Sequence, residues 1–415
     1  MKILHLVSGP ISEGAARGAY WLHRGLVGLG VDSFLLNNSR EQYQDVSVAS
    51  LADTSARKIK SMLLPQLGGA PKYFYRKRKP WIFNTGFEGF DFTKHPHFEA
   101  ADVIHLHWIN GLVAMRTLRK IGKPIIWTLR DMWPFTGGCH YSMECNRYEL
   151  GCGQCPQLGS SYTRDLSRLV VSNKRRSLPK DMRIVGVSDW LSDCARRSTL
   201  FQEFQIQTIS NNIHSEEYFP VESEKARDVL GLPKNKKIVL IGAKSVDDFY
   251  KGFDLLIAAL SQVKTENIHV VLFGLSSPEI VASMPFPLTE LGFLSDTISL
   301  RLAYSAADVF IAPSRMDAFP KTPAESMACG TPVVCFDATG LADIVEHKVT
   351  GIKATPFDAL DLARGVDWVL SLSPTRQQQI RAQSRERAKS QFDSKVIAAQ
   401  YLKVYEEMLT ERQSQ

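Results

Sequence analysis

No stretch of this sequence approaches the ~18 uninterrupted apolar residues that a membrane-crossing helix needs. The opening "MKILHLVSG" has one lysine and about five apolar residues, short of the ~7–15 of a secretion-signal core, so it reads as a first β-strand. A chain lacking both features is expected in the cytoplasm. Cysteine is sparse, seven in 415 residues, and without a secretion signal that excludes a disulfide-built scaffold. Basic residues patterned with base-stacking aromatics are missing, which argues against nucleic-acid binding. There is no internal repeat. No residue class is extreme: 44% of residues are hydrophobic and 22% charged, as in an ordinary globular chain of two or three domains at ~150 residues each. Net charge is +7, from 50 basic and 43 acidic residues. That surplus suits either a solvated surface or an anionic partner.

What the sequence does have is alternation. Short apolar, β-branched runs recur at 2–8, 31–37, 102–108, 124–130, 183–188 and 205–210, separated by stretches of helical period. After a charged, proline-bearing stretch at 216–235, read as a linker, a second series begins with "KIVLIGA" (237–243), "HVVLFG" (269–274), "VFIAPS" (309–314) and "PVVCF" (332–336). Strands alternating with helices predict parallel sheets covered by helices, here in two domains of α/β class. Residues 375–412 have apolar positions at helical spacing and predict long helices. Ligands of such sheets bind beyond the carboxyl ends of the strands, near helix N-termini.

The chemistry-bearing motifs lie where that rule puts them. Lys251-Gly252 follows the first strand of the second series at an expected helix start, and Lys244 lies just past the strand end; both suit phosphate oxygens or open solvent. The stretch "SRMDAFPKTPAESMACG" (314–330) holds Asp317 and Glu325. Locally, Thr322-Pro323-Ala324-Glu325 fits a capping box with Thr322 at the N-cap and Glu325 at N3. No Asp-x-Asp motif stands at the matching strand end, so a catalytic divalent ion is not required.

The run "PLTELGFLSDTISLRLAYSAADVFIAPSRMDAFPKTPAESMACGTPVV" resembles the C-terminal half of retaining GT-B glycosyltransferases of family 4. The resemblance is strong over roughly 235–345 and looser toward the N-terminus. There "TLRDMWPFTGGCHY" is similar to a bacterial exopolysaccharide, colanic-acid-type branch. It implies two Rossmann-like doubly wound domains facing a cleft: an acceptor-side domain at 1–215, with 395–415 crossing back onto it, and a nucleotide-sugar domain at 216–394. It further implies that Glu325 grips the nucleotide ribose, Asp317 lies near the transferred sugar, and Lys251 binds the diphosphate. Phe293, in the turn Leu291-Gly292-Phe293, would support the base. Lys321 and Thr322 would offer charge and helix-start amides, and Gly14 and Ala15 a small-residue loop at the sugar-phosphate. The sequence departs from the family pattern twice on the sugar side: Asp317 replaces the usual glutamate, and Arg130 stands where a histidine is usual, beside Asp131.

His105 and His107 alternate on one strand and read either as acceptor-side residues or as core histidines. Cys139, Cys145, Cys152 and Cys155 form C-x5-C-x6-C-x2-C in a glycine-rich loop. Four thiolates suit a closed structural zinc site, with reduced thiols, disulfides or an iron–sulfur centre as the alternatives. The basic, aromatic stretch 58–81 suits peripheral contact with an anionic membrane or an ordinary solvated helix. The resemblance thus implies transfer of a sugar from a UDP- or GDP-sugar to a glycan or lipid-linked acceptor. A sugar-nucleotide isomerase and a non-catalytic sugar-nucleotide-binding scaffold are the rival readings.

Overall fold

The computed structural model describes residues 1–12 and 14–414, with Pro65 described by its backbone only. Two compact units emerge, one made of Met1–Ser210 with Ile397–Gln415 and the other of Asn211–Val396.

The first unit is built on a seven-stranded sheet of β1 (Lys2–Leu6), β2 (Asp32–Asn37), β3 (Val48–Ser50), β4 (Val103–Leu106), β5 (Ile125–Leu129), β6 (Arg183–Gly186) and β7 (Gln205–Thr208). Their spatial order is β3-β2-β1-β4-β5-β6-β7, and every pairing is parallel. The central strands are buried on both faces, which is why they read as continuous apolar runs rather than alternating ones. One core cluster joins Ile3, Val103, Ile126 and Val185 of the sheet to Ile397, Tyr401, Val404, Tyr405 and Met408. The latter lie at helical spacing on the helix Ser394–Gln413, so one stripe of that helix completes the first unit's core.

The second unit has a six-stranded parallel sheet of β8 (Lys237–Ser245), β9 (Ile268–Leu275), β10 (Leu288–Gly292), β11 (Val309–Ala312), β12 (Val333–Phe336) and β13 (Gly351–Ala354). The order is β10-β9-β8-β11-β12-β13. Its core packs Val239, Ile241, Val270, Ile311 and Val334 against the helices Phe253–Leu260 and Ala359–Leu370. Fully burying each such side chain contributes about 1.5–3 kcal/mol.

The stretch 216–235, expected as a linker, is built into this unit. Its helix Ser223–Val229 buries Ala226, and Arg227 reaches Asp308 at 3.0 Å and the Ala306 carbonyl at 2.9 Å. Charge in the sequence marked an ion-paired helix here, not a free connection. In both sheets the strand order reverses beside the first strand, between β1 and β4 and between β8 and β11. Crevices outside the carboxyl ends at such points are where doubly wound sheets take ligands. Among the described residues no helix is long and apolar enough to cross a membrane.

Candidate active site

In the second unit, β8 runs into a 3-10 turn, Phe249–Lys251, and then Gly252 at φ +68° before the helix Phe253–Leu260. A Cβ at Gly252 would lie 2.2 Å from the Pro313 carbonyl oxygen. Glycine alone therefore permits this turn to press against the end of β11. The helix starts two residues later than expected, and Lys251 sits in the turn before it. The turn directs Lys251 Nζ to Asp317 Oδ2, 2.7 Å away. Burial alone pulls the Lys251 ammonium down. The Asp317 carboxylate more than reverses this and holds it above its ordinary value. Asp317 Oδ1 also accepts from the Phe319 amide at 3.3 Å. A cation and a carboxylate 66 residues apart thus meet beyond adjacent strands β8 and β11.

Glu325 lies on the helix Lys321–Ala328, and here the capping-box expectation fails. The N-cap is Pro320, with no side-chain cap, and Thr322 lies inside the first turn. Pro320 fits because an N-cap residue needs no amide hydrogen for the helix ladder. Glu325 is consequently at N5, two residues deeper than the expected N3, and only 2% exposed. Its Oε2 accepts from the Tyr304 hydroxyl at 2.9 Å, whereas Oε1 is buried with no hydrogen-bond partner among the described residues. A buried carboxylate oxygen without a donor costs about 1–3 kcal/mol or more, so this atom marks a place for one. Burial, then the Glu325 charge, keep the Tyr304 phenol protonated and able to donate.

Lys244, expected just past the strand end, is exposed as the penultimate residue of β8, and Phe293 is 45% exposed immediately after β10. Lys321 and Thr322 are half-buried in the first turn of the Glu325 helix. Lys244 lies in the carboxyl-terminal end of β8, and the other three follow the ends of β10 and β11.

In the first unit, Gly14 opens the helix Gly14–Gly28 at φ +48° with open space around its Cβ position, and Ala15 is half-buried. Glu13, in the same loop, lies outside the described residues. His105, one of the two expected acceptor-side residues, is enclosed within the sheet. Both its ring nitrogens are taken, by the Tyr405 hydroxyl and Thr128 Oγ1, each at 2.7 Å. It therefore has neither a nitrogen nor a path for an acceptor hydroxyl, and serves to fasten the C-terminal helix to β4 and β5.

His107 is buried too. Arg130, which can only donate, reaches its Nδ1 at 3.3 Å, so its Nε2 carries the hydrogen that faces His5 Nδ1 at 3.0 Å. Nitrogens of His5, His105 and His107 lie within 4.8 Å of one another, the spacing of a metal group. Burial first, then neighbouring imidazoles for His5 and His107 and the Arg130 guanidinium for all three, holds these imidazoles well below their ordinary value and neutral. Among the described residues His5 Nε2 has no hydrogen-bond partner, but both nitrogens of His105 and of His107 are taken and the Arg130 guanidinium stands beside them, which opposes a cation here. Burial lowers Arg130 itself to about 10.

Asp131 is buried and fully engaged. It accepts from Trp108 Nε1 (2.8 Å), His140 Nδ1 (2.6 Å) and the Trp133 amide (2.9 Å). Within the structure it clamps the loop after β5. The four cysteines of that loop line one small cavity with Phe83 and Tyr148, and none is in a disulfide. Their sulfurs do not gather as closely as the histidine nitrogens among the described residues. Burial pushes the thiols up, to about 12 for Cys152 and about 11 for Cys155.

Tyr304, His5 and His140 were not singled out from sequence. Tyr304 stands in "YSAAD", a quoted part of the family pattern, but nothing local to it points at Glu325.

Residues 222–387 match the family model for Glycosyl transferases group 1. The chain is 23% identical over 274 residues to a putative colanic acid biosynthesis glycosyl transferase, WcaC, of Escherichia coli, covering 63% of this chain and 65% of that one. It spans just under two-thirds of the length of the first curated relatives it matches, at 65%, 66% and 61%. Among solved structures it resembles a sucrose-phosphate synthase from Thermosynechococcus elongatus, with TM-score 0.69 and 20% identity over 99% of this chain and all of that one. It also resembles HepE of Anabaena in complex with UDP and glucose, with TM-score 0.64 and 17% identity over 98% of this chain and all of that one. These likenesses establish the two-domain α/β GT-B fold.

Proposed function

From the match of residues 222–387 to the group 1 glycosyltransferase model, on a GT-B fold, we propose that this chain is a retaining hexosyltransferase. It moves a sugar from a UDP- or GDP-sugar to a glycan or lipid-linked oligosaccharide in the building of cell-surface polysaccharide. The observation that carries this reading is Glu325 Oε1, a buried carboxylate oxygen lacking a donor beyond the carboxyl ends of the sheet. A ribose presents hydroxyl donors of the kind it lacks. The neighbour bound to UDP and glucose and the curated colanic acid relative support the donor and acceptor classes respectively.

In this reading the diphosphate draws Lys251 away from Asp317. The ammonium then faces the negative charge that grows on the leaving group, and Asp317 is released toward the sugar. Amides at the start of the Lys321–Ala328 helix, with Lys321 and Lys244, add to that stabilisation. Phe293 offers a ring face to the base. With this much fixed positive potential the reaction needs no divalent ion. Arg130 replaces the histidine usual at its position. With no imidazole there, position 130 supplies charge and not a general base.

Incubation with a panel of nucleotide sugars and lipid-linked oligosaccharides tests the reading. Acceptor-dependent release of the nucleoside diphosphate is expected. Conversion without acceptor would show an isomerase, and binding without turnover a scaffold.

A membrane-side acceptor is supported by the helix Ser55–Gly69. Its Ile59, Met62, Leu63 and Leu67 are between 46% and 63% exposed at helical spacing, among Arg57, Lys58 and Lys60. Such a face suits the anionic inner surface of the cytoplasmic membrane. Sedimentation with vesicles containing anionic lipid should retain the protein, and purely zwitterionic vesicles should not. Replacing Leu63 and Leu67 together by glutamate should lower the vesicle partition constant about thirtyfold or more, two leucines at ~1 kcal/mol or more each. Equal binding by variant and parent would remove this surface from the proposal.

A further inference from the structure

We propose that Cys139, Cys145, Cys152 and Cys155 form a closed four-sulfur site for one structural zinc ion. All four line a single cavity in the first unit, and all are free thiols. The cavity holds about 20 Å3, room for roughly one water-sized particle and not for an iron–sulfur cluster.

The backbone is set up for the same purpose. Gly151, Cys152, Gly153 and Gln154 have successive φ values of +81°, +59°, +97° and +47°. Non-glycine residues in that region cost about 1–3 kcal/mol each and persist only where their surroundings hold them. This loop, from the end of β5 to the helix Leu166–Ser177, has no regular structure of its own beyond the 3-10 turns Trp133–Phe135 and Arg147–Leu150. Loops beyond ~12–15 residues are uncommon unless something organises them.

Charge supplies an independent observation. Lys174 is fully buried, with its ammonium donating to the Trp133 and Thr136 carbonyls and lying 3.8 Å from the Trp133 ring centroid. Among the described residues no carboxylate is within ion-pairing distance of it, although a buried lone ammonium is costly. It meets the cysteine loop through Thr136, whose carbonyl accepts from Lys174 and whose hydroxyl donates to the Cys139 carbonyl at 2.6 Å. Zn2+ with four thiolates carries a net charge of about −2, which Lys174 offsets from inside the protein. Each thiol gives up its proton on binding. Zn–S bonds of about 2.3 Å place the sulfurs roughly 3.8 Å from one another, so binding would draw the four side chains inward.

A site with four protein ligands leaves no open position, so the ion staples rather than catalyses. What it staples is defined by sequence: Cys139 precedes His140, whose imidazole holds Asp131 beside Arg130. The ion would thus fix the loop that presents the sugar-side residues of the first unit.

The test uses the full chain, grown with zinc and purified without chelator. Metal analysis should give about one zinc per chain. Exchange with Co2+ should produce the visible absorption of tetrahedral cobalt thiolate. The Cys152→Ser/Cys155→Ser variant should fall below about 0.3 zinc per chain, and Cys194→Ser should keep the full amount. Less than about 0.3 zinc in the parent, a disulfide among the four cysteines, bound iron, or zinc retained by the double variant would each overturn the proposal. Should the double variant not fold, the cobalt spectrum of the parent decides alone, because oxygen and nitrogen ligands do not give thiolate charge-transfer bands.

Discussion

Glu325→Gln lowers nucleotide affinity by about ten- to a hundredfold with little change in melting temperature. The two oxygens of Glu325 stand in different situations, one accepting from Tyr304 and the other buried without a donor. Glutamine can keep an oxygen toward Tyr304 and leave the protein intact. Its amide NH2 then occupies the second position, so a ribose hydroxyl meets a donor where it needs an acceptor. A hydrogen bond to a charged group is worth about 1.5–3 kcal/mol, which at 1.4 kcal/mol per decade gives the quoted range. Titration calorimetry with UDP and GDP measures the affinity, and a thermal melt the stability. Unchanged affinity with a lowered melting temperature would reduce Glu325 to a packing residue.

The larger loss in turnover falls on Lys251. Lys251→Met should lower kcat by about 10²–10³-fold, the usual consequence of deleting one group aimed at developing charge. The variant also strands Asp317, whose side chain is only 14% exposed, so some stability is lost with it. The double variant Lys251→Met/Asp317→Asn separates the two effects. It should recover the melting temperature and not the turnover. Asp317→Asn alone should lower turnover more than affinity for free nucleotide, because Asp317 faces the sugar and not the base. Recovery of activity in the double variant would mean that the pair is structural.

Much of the fold could be read from the order of apolar runs, because strands buried on both faces announce themselves as continuous β-branched segments. The location of Lys251, Asp317 and Glu325 after strands was legible for the same reason. Their contacts were not. The Lys251–Asp317 pair depends on β8 and β11 being neighbours, and strand order is a property of tertiary packing that no local spacing encodes. The Glu325 helix shows local chemistry misleading outright. Thr-Pro-x-Glu fits a capping box, yet the helix begins at Lys321 because Pro320 itself enters with φ −66°, leaving Glu325 free to turn toward Tyr304. His105 illustrates the same limit at longer range, since its partner Tyr405 is 300 residues away. Alternation on a strand shows that two histidines share a face, and says nothing of what covers that face.

The stripe Ile397–Met408 sets an order of events during synthesis. The second unit is one continuous segment, Asn211–Val396, and its sheet can close as soon as that segment has been made. The first unit starts earlier and finishes later: Ile3, Val103 and Ile126 wait for Tyr401 and Tyr405, which are translated after the entire second unit. Until then about 390 residues of nascent chain carry an uncovered apolar face on one sheet. At ~5–20 residues per second that is a wait of roughly ten seconds or more between the completion of β7 and the arrival of its cover. The interval makes the half-finished first unit the natural client of a chaperone.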